Sequence, residues 1–303
     1  MAKNDRTPVT RRSFAQASFA TGAGLLLSRA RNALPQEVNS SPARPARITN
    51  VVLTHGAWAD GSGWTAVYDI LVKDGLNVSI VQEPETSFKD DVVATKRVLG
   101  LQDGPCILVA HSYGGAVITE AGNDPSVAGL VFVAAHMPDA GEKESENGKR
   151  FPSDLAKSSA IKKTPDGFTY IDPAQFHELF AADLPAEQAA FMARSQVFNF
   201  APNFSATITT AAWRTKPSWM VVAGSDRTIN PELERWYAAR AKSHKVEVAG
   251  ASHVVYISHP AEVAATIKDA TENARFRSRN DELLETPRRI ARLHAEGPVV
   301  CSV

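Results

Sequence analysis

The feature that most constrains the fold is the stretch Cys106-Ile-Leu-Val-Ala-His-Ser-Tyr-Gly-Gly115. Its apolar run at 107–110 predicts a short buried strand, and residues 116–121 predict a helix directly behind it. A strand that turns this sharply into a helix strains the backbone of the corner residue, Ser112, so the residues two positions away must be small. Here they are a glycine and, where glycine is more usual, an alanine. The pattern predicts a nucleophilic serine on a tight corner; a plain loop that contains a serine is the alternative.

Strand and helix patterns alternate on both sides of this corner. Further strands are predicted at residues 48–54, 77–81, 129–135, 218–223 and 245–248, and further helices at about 65–73, 87–100, 231–241 and 260–270. Alternation of this kind favours a parallel sheet covered on both faces by helices, with right-handed crossovers. The sequence therefore predicts an α/β fold with a mostly parallel sheet of about six strands flanked by helices.

The alternation is interrupted at about 139–215, where no clear strand pattern is found. The segment begins as a charged loop and continues with helical patterns at 173–182 and 185–195. It is too long for a simple connection and contains many aromatic residues. We expect a helical cap that lies over the carboxyl edge of the sheet and covers a binding site.

The ends of the chain predict other roles. Within residues 1–33, Arg11-Arg12 precede a weakly apolar stretch, a pattern typical of a twin-arginine export signal. This signal predicts a periplasmic or secreted protein. A disordered basic tail is the alternative. Residues 34–46 predict a linker, 47–272 the folded domain, and 273–303 a charged tail.

Charge and cysteine content exclude several function classes. The whole chain has no net charge, but residues 47–270 contain 20 basic and 26 acidic side chains, a net charge of −6. An acidic domain without a basic stripe is not expected to bind nucleic acid. The two cysteines form no disulfide framework, and no Cys/His spacing indicates a metal site or a cofactor. No apolar run is long enough to predict an integral membrane segment in the mature protein.

A serine hydroxyl is a weak nucleophile that needs a positioned base, which in turn needs a carboxylate to orient it. In open α/β sheets such groups gather outside the carboxyl ends of the strands. Asp226 follows the strand predicted at 218–223, and His253 follows the strand predicted at 245–248. We therefore expect these two residues to complete a catalytic triad with Ser112.

Other acids and histidines also lie at strand ends. Asp139 follows the strand at 129–135 and is the second candidate for the acid. His55 precedes a glycine-rich loop, whose backbone it is expected to brace, and His111 is expected to point away from its neighbour Ser112. His136 is a further histidine at a strand end.

Attack of a serine on a carbonyl group also needs two backbone N–H groups directed at the developing negative charge. One is expected from Tyr113, directly after the nucleophile. The other is expected from Ala57, because Gly56 before it lets the backbone approach closely.

Four motifs together resemble the α/β-hydrolase superfamily: His55-Gly-Ala-Trp, Ala110-His-Ser-Tyr-Gly-Gly, Gly224-Ser-Asp and Gly250-Ala-Ser-His. The resemblance covers about residues 47–270. Within the superfamily, this part of the chain resembles the branch that contains plant methyl-ester esterases and hydroxynitrile lyases. It implies the chain order Ser112, Asp226, His253 for the triad, with Ala57 and Tyr113 forming the oxyanion hole.

The resemblance also separates esterases from lyases within that branch. The lyases carry a threonine where this chain has Gly56, and a lysine where it has Val254. Both differences favour an esterase. We therefore expect a serine hydrolase that cleaves a small carboxylic ester through an acyl-enzyme, without metal or cofactor. The alternatives are a lyase or a perhydrolase, or a ligand-binding protein with a vestigial triad; the substrate and the oligomeric state stay open.

Overall fold

A computed structural model describes residues 48–274. The predicted export signal, linker and almost all of the predicted charged tail lie outside these residues. The strands are β1 (Asn50–Thr54), β2 (Asn77–Val81), β3 (Cys106–Ser112), β4 (Val127–Ala135), β5 (Ile161–Lys163), β6 (Phe168–Ile171), β7 (Asn199–Phe200), β8 (Ser218–Ala223) and β9 (His244–Val248). The α-helices are α1 (Thr65–Lys73), α2 (Phe88–Leu99), α3 (Gly114–Ala121), α4 (Glu144–Arg150), α5 (Asp154–Lys157), α6 (Pro173–Phe180), α7 (Ala186–Met192), α8 (Pro231–Ala241), α9 (Val255–Ser258) and α10 (Pro260–Asn273).

Six of the strands form one parallel sheet in the order β2-β1-β3-β4-β8-β9. The four central strands are buried along their whole length, which explains their nearly continuous apolar sequences. The edge strands β2 and β9 are largely accessible and more polar. The prediction of an α/β fold with a mostly parallel sheet of about six strands is confirmed.

Alternate residues of β3 pack into two different cores. Ile107 and Val109 face the side covered by α1 and α10, whereas Leu108 and Ala110 face the side covered by α2 and α8. This period of two follows from the pleat of a strand and leaves β3 covered on both faces. Among the helices of residues 48–274, none is both long and apolar enough to cross a membrane.

The segment between β4 and β8 forms the cap. The helices predicted at 173–182 and 185–195 are present as α6 and α7, and α4 and α5 lie in what was predicted to be a charged loop. The cap also contains an antiparallel sheet that the sequence did not predict, β5-β6-β7, whose strands are only three, four and two residues long. Strands this short show no alternation. Cross-strand aromatic pairs contribute to this sheet: Phe168 contacts Phe200, and Tyr170 stacks on Phe198.

Candidate active site

Ser112 lies at the carboxyl end of β3, on the corner that leads into α3. Its φ of 54° is in the left-handed region, which is uncommon for a residue with a Cβ. A Cβ on Gly114 would collide with the carbonyl oxygen of His55, and one on Gly115 with the carbonyl oxygen of His136. The two glycines let the corner pack tightly against neighbouring loops, and the serine is left only 6% exposed at the base of a cavity.

The structure brings Ser112, His253 and Asp226 together. His253 Nε2 lies 2.8 Å from Ser112 Oγ, and His253 Nδ1 lies 2.6 Å from Asp226 Oδ2. A carboxylate can only accept, so Nδ1 carries the ring proton and Nε2 is free to accept from the serine hydroxyl. The three side chains form one hydrogen-bonded series that spans the ends of β3, β8 and β9.

The backbone fixes the carboxylate of Asp226 from its other side. Asp226 Oδ1 accepts from the N–H groups of Thr228 at 2.6 Å and Ile229 at 2.9 Å. This leaves Oδ2 as the oxygen that faces the histidine. Behind the turn, Glu234 is fully buried on α8 and accepts from the Ala223 N–H; burial, together with the charge of Asp226, raises the pKa of Glu234. These contacts hold the acid in one orientation.

Asp139, the second candidate for the acid, has a different partner. Its carboxylate forms a bidentate ion pair with Arg214, through Nε at 2.9 Å and through Nη2. The Arg214 guanidinium lowers the pKa of Asp139 below its ordinary value. The hydrogen bond to His253 is made by Asp226 instead, so the structure does not bring Asp139 into the series.

Two neighbouring histidines have supporting contacts. His55 lies between two loops: its Nε2 accepts from the Glu83 N–H at 2.9 Å, so its Nδ1 carries the proton and donates to Gly56 O at 3.0 Å. His111 Nε2 donates to the backbone oxygen of His253 at 2.9 Å, and the two rings lie 4.5 Å apart. Burial lowers the pKa of His111 well below its ordinary value, and the nearby His253 lowers it further. His55 braces the loop as expected, and His111 supports the backbone of His253.

The predicted oxyanion-hole residues lie on either side of the serine corner. A Cβ on Gly56 would lie 2.5 Å from Ser112 Cβ and 2.8 Å from His111 O, so the turn before Ala57 packs directly on the corner. Ala57 lines the same cavity as Ser112. Within residues 48–274, neither the Ala57 N–H nor the Tyr113 N–H donates to another protein group. Both donors are therefore available to a ligand.

The side chain of Tyr113 is held below the corner, away from any chemistry. Its hydroxyl donates to Asp91 Oδ2 at 2.6 Å, and Asp91 Oδ1 accepts from the Glu85 N–H at 2.8 Å. Burial raises the pKa of Asp91 to about 6. This buried contact ties α2 to the start of α3, and was not found from the sequence because nothing local marks Asp91 as a partner of Tyr113.

A cavity of about 420 Å³ opens above Ser112, between the sheet and the cap. Most of its lining is apolar and comes from both parts of the fold: Ala57, Trp58, Phe151, Pro152, Leu155, Ala156, Ile161, Phe204, Ile229 and Leu233. Polar side chains also reach it, including His136 and Glu144. The sequence predicted His136 at a strand end but did not indicate Glu144, because only the folded cap distinguishes Glu144 from the other charged residues around it. Among residues 48–274, no group of three or more His, Cys, Asp or Glu side chains is placed to hold a metal ion.

Comparisons with known proteins agree with this architecture. The sequence matches the family model described as the alpha/beta hydrolase family over residues 51–266. A pyrethroid hydrolase from Sphingobium faniae is 20% identical with a TM-score of 0.61, over 75% of this chain and 98% of that chain. Polyneuridine aldehyde esterase is 18% identical with a TM-score of 0.65, over 74% of this chain and 100% of that chain. Tomato methylketone synthase I is 17% identical with a TM-score of 0.63, over 75% and 99%. At these identities the likeness concerns the fold alone. No curated protein gives a significant match.

Proposed function

The chain belongs to the α/β-hydrolase family, and from this premise we propose that it is a serine hydrolase that cleaves a small carboxylic ester through an acyl-enzyme. The observation that carries the proposal is the hydrogen-bonded series from Asp226 through His253 to Ser112. Serine nucleophiles in hydrolases need this arrangement of base and carboxylate.

In the proposed first step, Ser112 Oγ attacks the ester carbonyl while His253 Nε2 takes its proton. The imidazolium that forms keeps its hydrogen bond to Asp226, whose negative charge stabilises it. The N–H groups of Ala57 and Tyr113 donate to the oxyanion of the tetrahedral intermediate. His253 then gives its proton to the departing alcohol, which leaves the acyl group on Ser112.

In the second step, a water molecule replaces the alcohol. His253 removes a proton from this water, the resulting hydroxide attacks the acyl carbon, and the proton passes to Ser112 Oγ as the acid departs. Each transfer uses groups that this chain itself supplies, so the proposal needs no metal or cofactor.

The cavity supports a small and largely apolar substrate. A volume of about 420 Å³ lies in the lower part of the range for small-molecule sites, and aromatic side chains such as Trp58, Phe151 and Phe204 form much of the wall. Two proteins with similar folds agree with this chemistry, since one is named polyneuridine aldehyde esterase and the other a pyrethroid hydrolase.

The space around Gly56 disfavours the lyase alternative. In the hydroxynitrile lyases that the chain resembles, a threonine stands at this position. Here even a Cβ on Gly56 would lie 2.5 Å from Ser112 Cβ, so no side chain fits without moving the corner. Val254, where those lyases have a lysine, is fully buried in the apolar core.

Hydrolysis of p-nitrophenyl acetate and p-nitrophenyl butyrate by the purified protein tests the proposal. Wild type should release p-nitrophenolate with saturation kinetics, and Ser112→Ala should lose up to about a millionfold in kcat. Replacement of the exposed Ser195 by alanine is the matched control and should keep the activity. A wild-type protein without turnover on either ester, or a fully active Ser112→Ala, would contradict the proposal.

A further inference from the structure

Two side chains in the cavity take no part in the proposed mechanism. His136 directly follows β4, and Glu144 is the first residue of α4 in the cap; both line the cavity that contains Ser112. His136 Nε2 and Glu144 Oε1 are 3.5 Å apart. Glu144 Oε2 is buried, and no group within residues 48–274 makes a hydrogen bond to it. Buried polar atoms normally have partners, so an unpartnered one beside a ligand cavity points to a ligand group.

We propose that Glu144 and His136 form a polar subsite that binds a hydroxyl group of the substrate, so that the preferred substrate is a hydroxylated ester. This inference rests on the proposed ester hydrolase function and deepens it, because it states which kind of small ester the cavity selects.

Glu144 supplies the hydrogen-bond donor of this subsite. Its side chain is only 8% exposed, and burial raises its pKa well above the ordinary value, which favours the protonated, neutral carboxyl group. A neutral carboxylic acid has one O–H to donate. A hydroxyl oxygen of the substrate can accept this hydrogen bond.

His136 supplies the acceptor. Burial, together with the nearby His253, lowers the pKa of His136 to about 3, so its ring is neutral and has one bare nitrogen. Its Nδ1 faces the hydroxyl oxygen of Tyr237 at 3.4 Å. The subsite uses the tautomer in which Nδ1 carries the proton and donates to Tyr237, so that the bare nitrogen is Nε2, which faces Glu144. A substrate hydroxyl can therefore donate to His136 while it accepts from Glu144.

Other substituents fit the pair less well. A ketone or ether oxygen only accepts, and so satisfies Glu144 alone. An ammonium group only donates, and it would be repelled by Lys149, which also lines the cavity. An ester without a polar substituent offers neither group a hydrogen bond and leaves Glu144 Oε2 without a partner, and sites with buried polar groups discriminate strongly against such substrates.

Competition between methyl hexanoate and its regioisomeric methyl hydroxyhexanoates tests the inference. For wild type, at least one hydroxyhexanoate should have a kcat/KM about tenfold above that of methyl hexanoate. Glu144→Leu and His136→Phe should each abolish this preference, and Glu144→Gln should keep part of it because an amide N–H still donates. Glu146→Leu, which changes an exposed acid two residues further along the same helix, should keep the wild-type ratio.

The ratio compares two substrates on one protein, so a variant that is partly unfolded lowers both rates alike. Wild-type hydrolysis of methyl hexanoate with no hydroxylated isomer preferred would overturn the subsite and leave the hydrolase proposal standing. A preference that survives Glu144→Leu would also overturn it. A wild-type protein that cleaves none of these esters, nor the p-nitrophenyl esters, overturns the hydrolase proposal and the subsite with it.

Discussion

Replacement of Asp226 by asparagine tests how the proposed triad depends on a single proton. Two backbone N–H groups, from Thr228 and Ile229, point at Asp226 Oδ1, so the amide oxygen of an asparagine must occupy that position. The amide NH₂ group then faces His253 Nδ1, where the carboxylate oxygen was. Because NH₂ only donates, Nδ1 must become the acceptor and the ring proton must move to Nε2. His253 would then donate to Ser112 Oγ and could not take its proton.

The expected loss follows from that tautomer. In a well-studied serine protease triad the same substitution lowers kcat by about ten-thousandfold. At about 1.4 kcal/mol for each tenfold change, this raises the activation free energy by roughly 5.5 kcal/mol. Asparagine keeps both backbone hydrogen bonds, so the free energy of unfolding should fall by no more than about 3 kcal/mol, the upper value for a hydrogen bond to a charged group.

Asp139→Asn is the matched control, since it removes the other candidate carboxylate with the same change of atoms. The assay is kcat on p-nitrophenyl butyrate at neutral pH, with thermal unfolding of each variant as a check of the fold. Asp226→Asn should lose nearly all turnover and Asp139→Asn should lose little. If Asp226→Asn keeps about a tenth or more of its activity, or if Asp139→Asn is the inactive variant, the assignment of Asp226 is refuted.

Three further variants test the turn at Gly56, the buried Asp91 and the proposed export signal. Gly56→Ala should remove most ester turnover, because the Cβ of the new alanine would lie 2.5 Å from Ser112 Cβ and must displace the serine corner. A wild-type kcat in this variant would contradict the need for close packing between the turn and the corner. Asp91→Asn should become more stable relative to wild type as pH rises. Burial raises the pKa of Asp91 in the folded protein from 3.8 to about 6, so ionisation of Asp91 destabilises folded wild type as pH rises through this range. An asparagine does not ionise and is not affected. Urea unfolding of both proteins at about pH 4 and pH 7 should show the difference grow by about 2.4 kcal/mol, and a constant difference would contradict this. Finally, the proposed twin-arginine export predicts that Arg11→Lys combined with Arg12→Lys retains the protein in the cytoplasm, as cell fractionation can show, and unchanged export would remove the proposal.

The sequence predicted the sheet well because its signals are local. Each central strand is an apolar run, and β2 and β8 begin and end at the predicted residues. The three side chains of the proposed triad could also be found, because a strand-end rule and chain order narrow the choice among acids and histidines. The sequence alone did not exclude Asp139, whose ion pair with Arg214 joins residues that are 75 positions apart.

The parts that could not be predicted depend on contacts between distant segments. The strands of the cap sheet are too short to show alternation, and contacts between them such as that of Phe168 with Phe200 join distant residues. Glu144 belongs to a run of charged residues, and only the fold of the cap buries it beside His136. The support of His253 by His111 likewise joins residues 142 positions apart. Local patterns carry no information on which polar residue becomes buried.

Covalent labelling shows directly whether Ser112 is the nucleophile. A fluorophosphonate reacts with activated serines in hydrolases and leaves a stable adduct on the oxygen, which mass spectrometry of proteolytic fragments can locate. We expect one adduct per chain, on the fragment that contains Ser112. Ser112→Ala should not be labelled, and His253→Ala should be labelled far more slowly. Labelling at another serine, or ester hydrolysis by a protein that forms no adduct at Ser112, would refute the assignment of Ser112 as the nucleophile.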